Sequence, residues 1–358
     1  MPSKKTPTQT PTDADETEFG ESAGLRAVDH FETPDPRPQL LITTDIARVC
    51  ELIEASDIAR ETVYVCNDRR GTIDFEESPP RFRPFQGAHI VQRWVHDHFC
   101  VVKRGKPDKE GVAGLEACTV PIGFAAAFMD SRQGSKRLRA IVNFPVRRPD
   151  GEWVTEGYDE KTQVFVRLET QLLEYLQKHL PATPTREQAR SAAAWIVNDL
   201  FVDFPFKNSA CKSAMVAAML TPLFRYGEPR ANAPFFLVRS SQAGTGKTLL
   251  VDTIALSVVG EAAAACSLSQ DRMGDESQKR VNAILRRGRA IVKIDNVPSG
   301  TSFGGSPWDE LTTGGGRYEG RELGTENQAT LDNLSTWFLT GNNVQLTADS
   351  YRRVLWVE

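Results

Sequence analysis

One run of residues, Ser241-Gln242-Ala243-Gly244-Thr245-Gly246-Lys247-Thr248, combines small side chains, a lysine and a hydroxyl in an order suited to gripping phosphate. Small residues let backbone N–H groups converge on a triphosphate, and a helix starting at the lysine adds favourable partial charge. Lys247 is placed to reach the β- and γ-phosphates, and Thr248 to ligate Mg²⁺. The flanks fit. Phe235-Phe236-Leu237-Val238 reads as a buried strand before the loop, and an apolar helix follows from Leu249. Ser241 stands where such loops usually begin with glycine. The alternative is a glycine-rich strand-to-helix turn without a ligand.

Further polar groups fall at the ends of apolar runs. Ala290-Ile291-Val292-Lys293-Ile294 is a strand ending in Asp295, where an acid can hold the water shell of Mg²⁺. Ser335 to Thr340 is another strand, ending in Gly341-Asn342-Asn343. Asn343 there can orient a water against a γ-phosphate; a plain Gly-Asn turn is the alternative. Arg352 and Arg353 precede the strand Val354-Leu355-Trp356-Val357 and are placed to act as an arginine finger on a neighbouring subunit. Asp275 to Arg280 opens a helix in which Glu276, Lys279 and Arg280 have ion-pair spacing, suited to an exposed face or a subunit interface. Residues 300–327 form a Gly- and Thr-rich loop carrying Arg317 and Arg321; a loop of this size between core strands is usually functional or disordered, and in a ring ATPase it could project toward a central channel and touch DNA.

The elements that position these groups can be read in order. Residues 1–38, rich in Pro, Thr, Asp and Glu, are predicted to be a disordered tail. A small α+β module is expected over 39–162. It has strands at 40–42, 63–65, 72–73 and 99–102, helices around 46–53 and 89–95, and a proline-rich loop over 78–85. Ala140 to Val146 reads as one strand, turned by Arg147-Arg148-Pro149-Asp150-Gly151 into Trp153-Val154. From Phe165 the apolar period becomes helical. Three helices over 163–230, the second broken by Phe204-Pro205-Phe206, make a collar leading into a nucleotide-binding core over 231–358.

Two clusters carry weaker signals. His96, His98 and Cys100 lie close enough for a metal, but no fourth ligand stands out and a helix end running into a strand explains them as well. Arg132, Lys136, Arg137 and Arg139 are read as a solvated face or a contact to phosphate backbone.

Composition narrows the function classes. An apolar fraction of 40% and a charged fraction of 25% suit a globular protein. No apolar run is long enough to span a membrane, and the N-terminus lacks a secretory core. The six cysteines are scattered without a C-x-x-C pair, which points to reduced thiols and a cytoplasmic location. The net charge of −4 comes from the first forty residues, where 8 acids face 4 bases, so any nucleic-acid contact must rest on a local basic patch or an oligomeric ring.

Together these residues resemble the ATPase domain of phage- and plasmid-type primase–helicases, related to superfamily 3 helicases and the AAA+ ATPases. The likeness is carried by Phe204-Pro205-Phe206, Ala233-Pro234, Gly244-Thr245-Gly246-Lys247-Thr248, Glu276 with Lys279-Arg280 and Ile294-Asp295-Asn296-Val297. It continues through Leu311-Thr312-Thr313, Arg321-Glu322-Leu323-Gly324, Thr340-Gly341-Asn342-Asn343 and Arg352-Arg353. It covers roughly residues 140–358, including Pro145 to Gly151 and Gly157-Tyr158-Asp159. The resemblance implies an AAA+-like parallel α/β sheet at the C-terminus, ATP with Mg²⁺, a homo-oligomeric ring hydrolysing ATP at subunit interfaces, and translocation on DNA, expected single-stranded, during replication of a mobile element. Lys247, Asp295, Asn343, Arg352 and Arg353 take the catalytic roles, Ser241 to Thr248 the phosphate grip, and Thr248 with Asp295 the metal.

Three features depart from that pattern: Ser241 in the loop, Asn296 where many relatives carry a catalytic Glu, and an end at Glu358 on the last expected core strand, which reads as a truncated or split product. Glu276 and Asp295 are the candidates for general base. No primase constellation stands out in 39–160. The competing reading is a non-helicase regulatory or initiator-loader ATPase. A nucleotide kinase fits less well, because its loop would lie near the start of the fold.

Overall fold

The computed structural model describes residues 35–77, 79–131, 135–181, 183–242, 244–266, 275–300, 302–321 and 328–358, without the side chains of 275, 276, 321, 328 and 329. The chain forms two compact units, one of Met1–Ile53 with Gly87–Phe128, the other of Glu54–Gln86 with Met129–Glu358. Most of the expected tail lies outside the described residues.

In the first unit, Gln39–Leu41 pairs parallel with Cys100–Pro107, which turns back antiparallel into Ala113–Ala117. Helices Ile46–Ala55, Ala88–His98 and Ile122–Asp130 accompany this sheet. The interior holds Leu40, Val49, Val91, Val95, Phe124 and Phe128, with Trp94 stacked 5.7 Å from Phe128. The helix over 122–130 has no expected counterpart: Ile122-Gly123-Phe124-Ala125-Ala126-Ala127-Phe128 is apolar almost all round and offers no clear period. His98 ends its helix and Cys100 begins a strand, as the simpler reading of that cluster holds. His98 Nδ1 lies 2.8 Å from the Trp94 carbonyl, and His96 Nε2 accepts from the Val120 N–H. Among the described residues no group of three or more His, Cys, Asp or Glu could hold a metal.

The second unit is built on a five-stranded sheet. Its strands are β1 (Phe235–Ser240), β2 (Ala264–Cys266), β3 (Ile291–Val297), β4 (Thr336–Asn342) and β5 (Val354–Val357). All neighbours are parallel, in the order β2-β3-β4-β1-β5. Chain order reverses beside β1, and in open α/β sheets the crevice at the carboxyl ends of the strands around such a point takes ligands.

Both faces of the sheet are covered, so its strands read as continuous apolar runs rather than alternating ones. Phe236, Val238 and Phe338 face one cluster, joined by Met215 and Ala218 of α1 (Ser209–Arg225) and Leu250, Val251 and Ile254 of α2 (Lys247–Val259). Phe235, Leu237, Trp337 and Leu339 face the other, with Val281 and Leu285 of α3 (Asp275–Arg287) and Trp308. Each fully buried Val, Leu, Ile, Phe or Met among them contributes about 1.5–3 kcal/mol. Helices Thr170–His179 and Arg186–Trp195 bury no residue completely; Thr185 and Gln188 close a capping box at the second, which runs into a π-turn over Ile196–Leu200.

Several local expectations change. The loop expected at 78–85 contains a strand, Arg81–Pro84, antiparallel to Arg69–Asp74. Proline is tolerated there because this strand lies at a sheet edge. The single strand expected over 140–146 is two, Ala140–Val142 and Val146–Arg147; the second makes the expected hairpin with Trp153–Val154. Phe165 lies in a strand, Val164–Arg167, paired with both Ala140–Val142 and Glu156–Asp159, and the helix starts at Thr170. The loop expected at 300–327 contains helix Trp308–Thr313 and a hairpin of Arg317–Arg321 with Gln328–Asp332. No helix among the described residues is long and apolar enough to cross a membrane.

Candidate functional site

The stretch from Ser241 to Thr248 joins the carboxyl end of β1 to α2, at the edge where chain order reverses. Gly246 caps α2 with φ 79°, a left-handed conformation that favours glycine. Gly244 is left-handed too, and Ala243 lies outside the described residues. The Lys247 ammonium folds back over the loop, donating to the Gln242 carbonyl at 3.0 Å and to Thr245 Oγ1 at 3.2 Å. Gln242 N–H donates to Ser240 Oγ at 3.1 Å, while Ser241 is exposed.

Thr248, on the first turn of α2, meets Asp295 at the end of β3. Its Oγ1 donates to Asp295 Oδ1 at 2.9 Å, across 47 residues of sequence. A bulge aims the acid. Register shifts between Ile294 and Val297, and Asn296 takes φ 54°, so two residues of β3 face one of β4. Thr340 of β4 clamps this bulge: its hydroxyl donates to Asp295 Oδ1 at 2.6 Å and accepts from the Asn296 N–H at 2.9 Å. Burial opposes the Asp295 charge, but the hydrogen bonds from Thr340 and Thr248, backed by the Lys293 ammonium, outweigh it and hold the carboxyl below its ordinary value. Two hard oxygens thus sit side by side, as a cation such as Mg²⁺ requires. Thr340 carries no separate signal in the sequence beyond its place beside Gly341-Asn342-Asn343.

A cavity of about 520 Å³ opens beside the loop. Lys247, Thr245 and Ser241 line one side, Phe204 and Phe206 another, and Asn343 reaches it too. Asn343 is exposed, one residue past the end of β4, with φ 48°. Asn342, the last residue of β4, leaves Oδ1 buried without a hydrogen-bond partner among the described residues. At the mouth, Glu358 pairs with Lys207 at 2.7 Å and with Arg239, whose guanidinium lies 4.0 Å over the Trp356 ring. The aromatic wall could not be assigned from sequence, where Phe204-Pro205-Phe206 reads first as the end of a helix.

The two arginines are not brought to this cavity. Arg353 accepts Phe235 N–H at its carbonyl, at the amino end of β1, while the loop follows the carboxyl end. Five residues of strand, roughly 17 Å, separate them. Arg353 pairs with Asp309 at 3.0 Å, and Arg352, mostly exposed, with Asp349 at 3.2 Å. Glu276 lies on α3, with its side chain outside the described residues.

No family model matches the chain. No curated protein matches it either. Among solved structures it is similar to the A form apo structure of the NrS-1 C terminal region, with a TM-score of 0.34 and 10% sequence identity over 83% of this chain. The chain covers 58% of that structure's chain.

Proposed function

We propose that the chain binds and hydrolyses ATP with Mg²⁺ at the loop Ser241–Thr248, as the motor part of a DNA helicase or translocase serving replication of a mobile element. The observation that carries the nucleotide reading is the meeting of Thr248 and Asp295, from two distant segments, beside a lysine-bearing loop at the carboxyl edge of a parallel sheet. The triphosphate lies along the loop amides, with Lys247 against its terminal phosphates. The base rests against Phe204 and Phe206 in the adjoining cavity. Thr248 and Asp295 are the residues that would hold Mg²⁺, which would draw charge from the phosphates when bound. Asn343, on the cavity rim, orients the attacking water.

The fold and motif order support an AAA+-like P-loop domain, and the arginines support a shared site. Arg352 and Arg353 lie at the opposite end of β1 from their own loop, so a finger formed by either acts on a neighbouring subunit in a ring. The DNA partner rests on the motif resemblance.

One observation favours the second reading, a regulatory or loader ATPase. Asn296, not a carboxylate, follows Asp295, and it is exposed on the bulge. Titration of Mg²⁺–ATP into the wild type and Thr248→Ala tests the shared part of both readings. Binding that is Mg²⁺-dependent and weakened at least tenfold in the variant is expected; equal binding with and without Mg²⁺ in both proteins contradicts it.

A further inference from the structure

A second cavity, about 420 Å³, lies away from the loop and is lined by Arg139, Arg148, Lys161 and Arg230, with Asp150 and Glu228 as its acids. Its place in the fold is fixed by two segments. Pro229 to Asn232 lead into the amino end of β1, and Asp332 and Asn333 lead into the amino end of β4. The cavity therefore belongs to the edge of the sheet opposite Lys247.

The surroundings hold its cations in place. Arg225, buried and pushed down to about 10 mainly by that burial, donates to the carbonyls of Ala231 and Asn333. Gly315 N–H donates to Asn232 Oδ1 at 2.8 Å. Gly316, at φ 73°, lies so close to Pro229 that a Cβ would come within 1.7 Å of the Pro229 carbonyl oxygen. These contacts fix the turn bearing Arg230 against the strand that starts at Arg317.

Charge is left over. Asp150 is taken by Lys161 at 2.8 Å and by Arg148 at 3.2 Å, and Arg148 also reaches Asp159 at 3.0 Å. Asp332 alone serves Arg137 and Arg139, both at 3.3 Å. The Arg139 side chain is only 8% exposed and also donates to Gln163. Its guanidinium is pushed below its ordinary value, first by burial, with Arg137, Arg317 and Arg230 adding to it against Asp332. Arg230 and Arg317 are exposed, and neither has an ion-pair partner among the described residues.

We infer that this edge is a phosphate-binding surface that takes the backbone of a single-stranded nucleic acid, with one phosphate in the cavity between Arg139 and Arg230 and the strand continuing past Arg317 and Arg137. A guanidinium fork matches phosphate oxygens in pairs. The cations extend beyond the cavity, which suits a linear polyanion rather than one small anion. The lining offers no large apolar side chain to anchor a peptide. The identity of the strand rests on the replication reading; the site itself does not.

The test uses the full chain and a fluorescent oligothymidylate, with anisotropy measured across a salt series. The double variant Arg230→Ala/Arg317→Ala is expected to bind at least tenfold more weakly at low salt, with the slope of log K against log salt reduced by about 1–2. Arg93→Ala, an exposed cation on the helix Ala88–His98, is expected to bind the strand as the wild type does. An unchanged slope and affinity in the double variant overturns the inference, as does a wild type that binds no strand. Inorganic phosphate that binds while the strand does not marks a free-phosphate site, and polyglutamate competing equally at matched charge marks an acidic-protein surface; either also overturns it. Strand binding that depends on Arg230 and Arg317 in a chain that binds no ATP leaves this site standing and removes the motor reading.

Discussion

Lys293 Nζ lies 2.6 and 2.7 Å from the two carboxylate oxygens of Asp252, one helical turn behind the contact of Thr248 with Asp295. Thr248 and Asp252 share a face of α2 by i,i+4 spacing, and Lys293 and Asp295 share a face of β3 by the period of two. Helix α2 and the acidic strand β3 are therefore joined by two polar rungs, one buried and structural, the other at the carboxyl edge of the sheet.

The inner rung is expected to matter for stability. Lys293 is 9% exposed and Asp252 25%. Lys293→Met leaves Asp252 partly buried without its cation, at a cost of about 2–4 kcal/mol, below the full penalty for a wholly buried pair. Chemical denaturation of the variant checks this. A change under about 0.5 kcal/mol contradicts the assignment.

The outer rung depends on Thr340. Thr340→Val keeps the shape but removes both the donor to Asp295 and the acceptor for Asn296 N–H, at an expected cost of about 1–3 kcal/mol. Binding of Mg²⁺–ATP should weaken with it, because the bulge no longer aims the carboxylate. Thr340→Ser, which keeps the hydroxyl, should restore most of that binding.

Asp295 also sets a pH dependence. Its folded value lies below the unfolded 3.8, so its contribution is present above that value and is lost as pH falls through the lower folded one. The stability difference between the wild type and Asp295→Asn should be constant from neutral pH to about 5 and shrink below about 4. Acid titration of both proteins by circular dichroism measures it. A difference that changes between pH 6 and 8 contradicts the sign.

Neighbouring residues made unequal demands on sequence reading. The loop between β1 and α2 is legible as a strand-to-helix turn because its parts are contiguous, and Asp295 as a strand end because a buried strand must end somewhere polar. The bulge is not legible: nothing in Ile294-Asp295-Asn296-Val297 shows that Thr340, forty-five residues on, accepts one N–H and supplies one O–H there. The partners of the basic run at 136–139 are hidden for the same reason. Arg137 and Arg139 look free until Asp332, nearly two hundred residues away, folds beside them, and Lys136 lies over the Tyr158 ring. Arg132 lies outside the described residues. The edge strand Arg81–Pro84 is hidden by its own prolines, which signal a loop unless the sheet edge is known.

Arg352 and Arg353 are expected to differ. Arg353→Ala breaks the pair with Asp309, a carboxylate that also accepts from Ser350 and Gly305, and should lower stability by about 1–2 kcal/mol. Arg352→Ala removes only an exposed pair and should leave stability within about 0.5 kcal/mol. If Arg352 serves a neighbour's site, its variant binds ATP, turns it over poorly, and regains activity when mixed with Lys247→Ala. Absence of rescue at every mixing ratio counts against a shared site.

The central claim is that Lys247 grips a triphosphate whose cleavage drives movement on DNA. Steady-state ATP hydrolysis by the wild type and Lys247→Ala, with and without single-stranded DNA, tests it most directly. The wild type should hydrolyse ATP faster with DNA present, and Lys247→Ala should show neither basal nor stimulated turnover. Equal turnover in both proteins, or ATP binding with no response to DNA at any concentration, contradicts it.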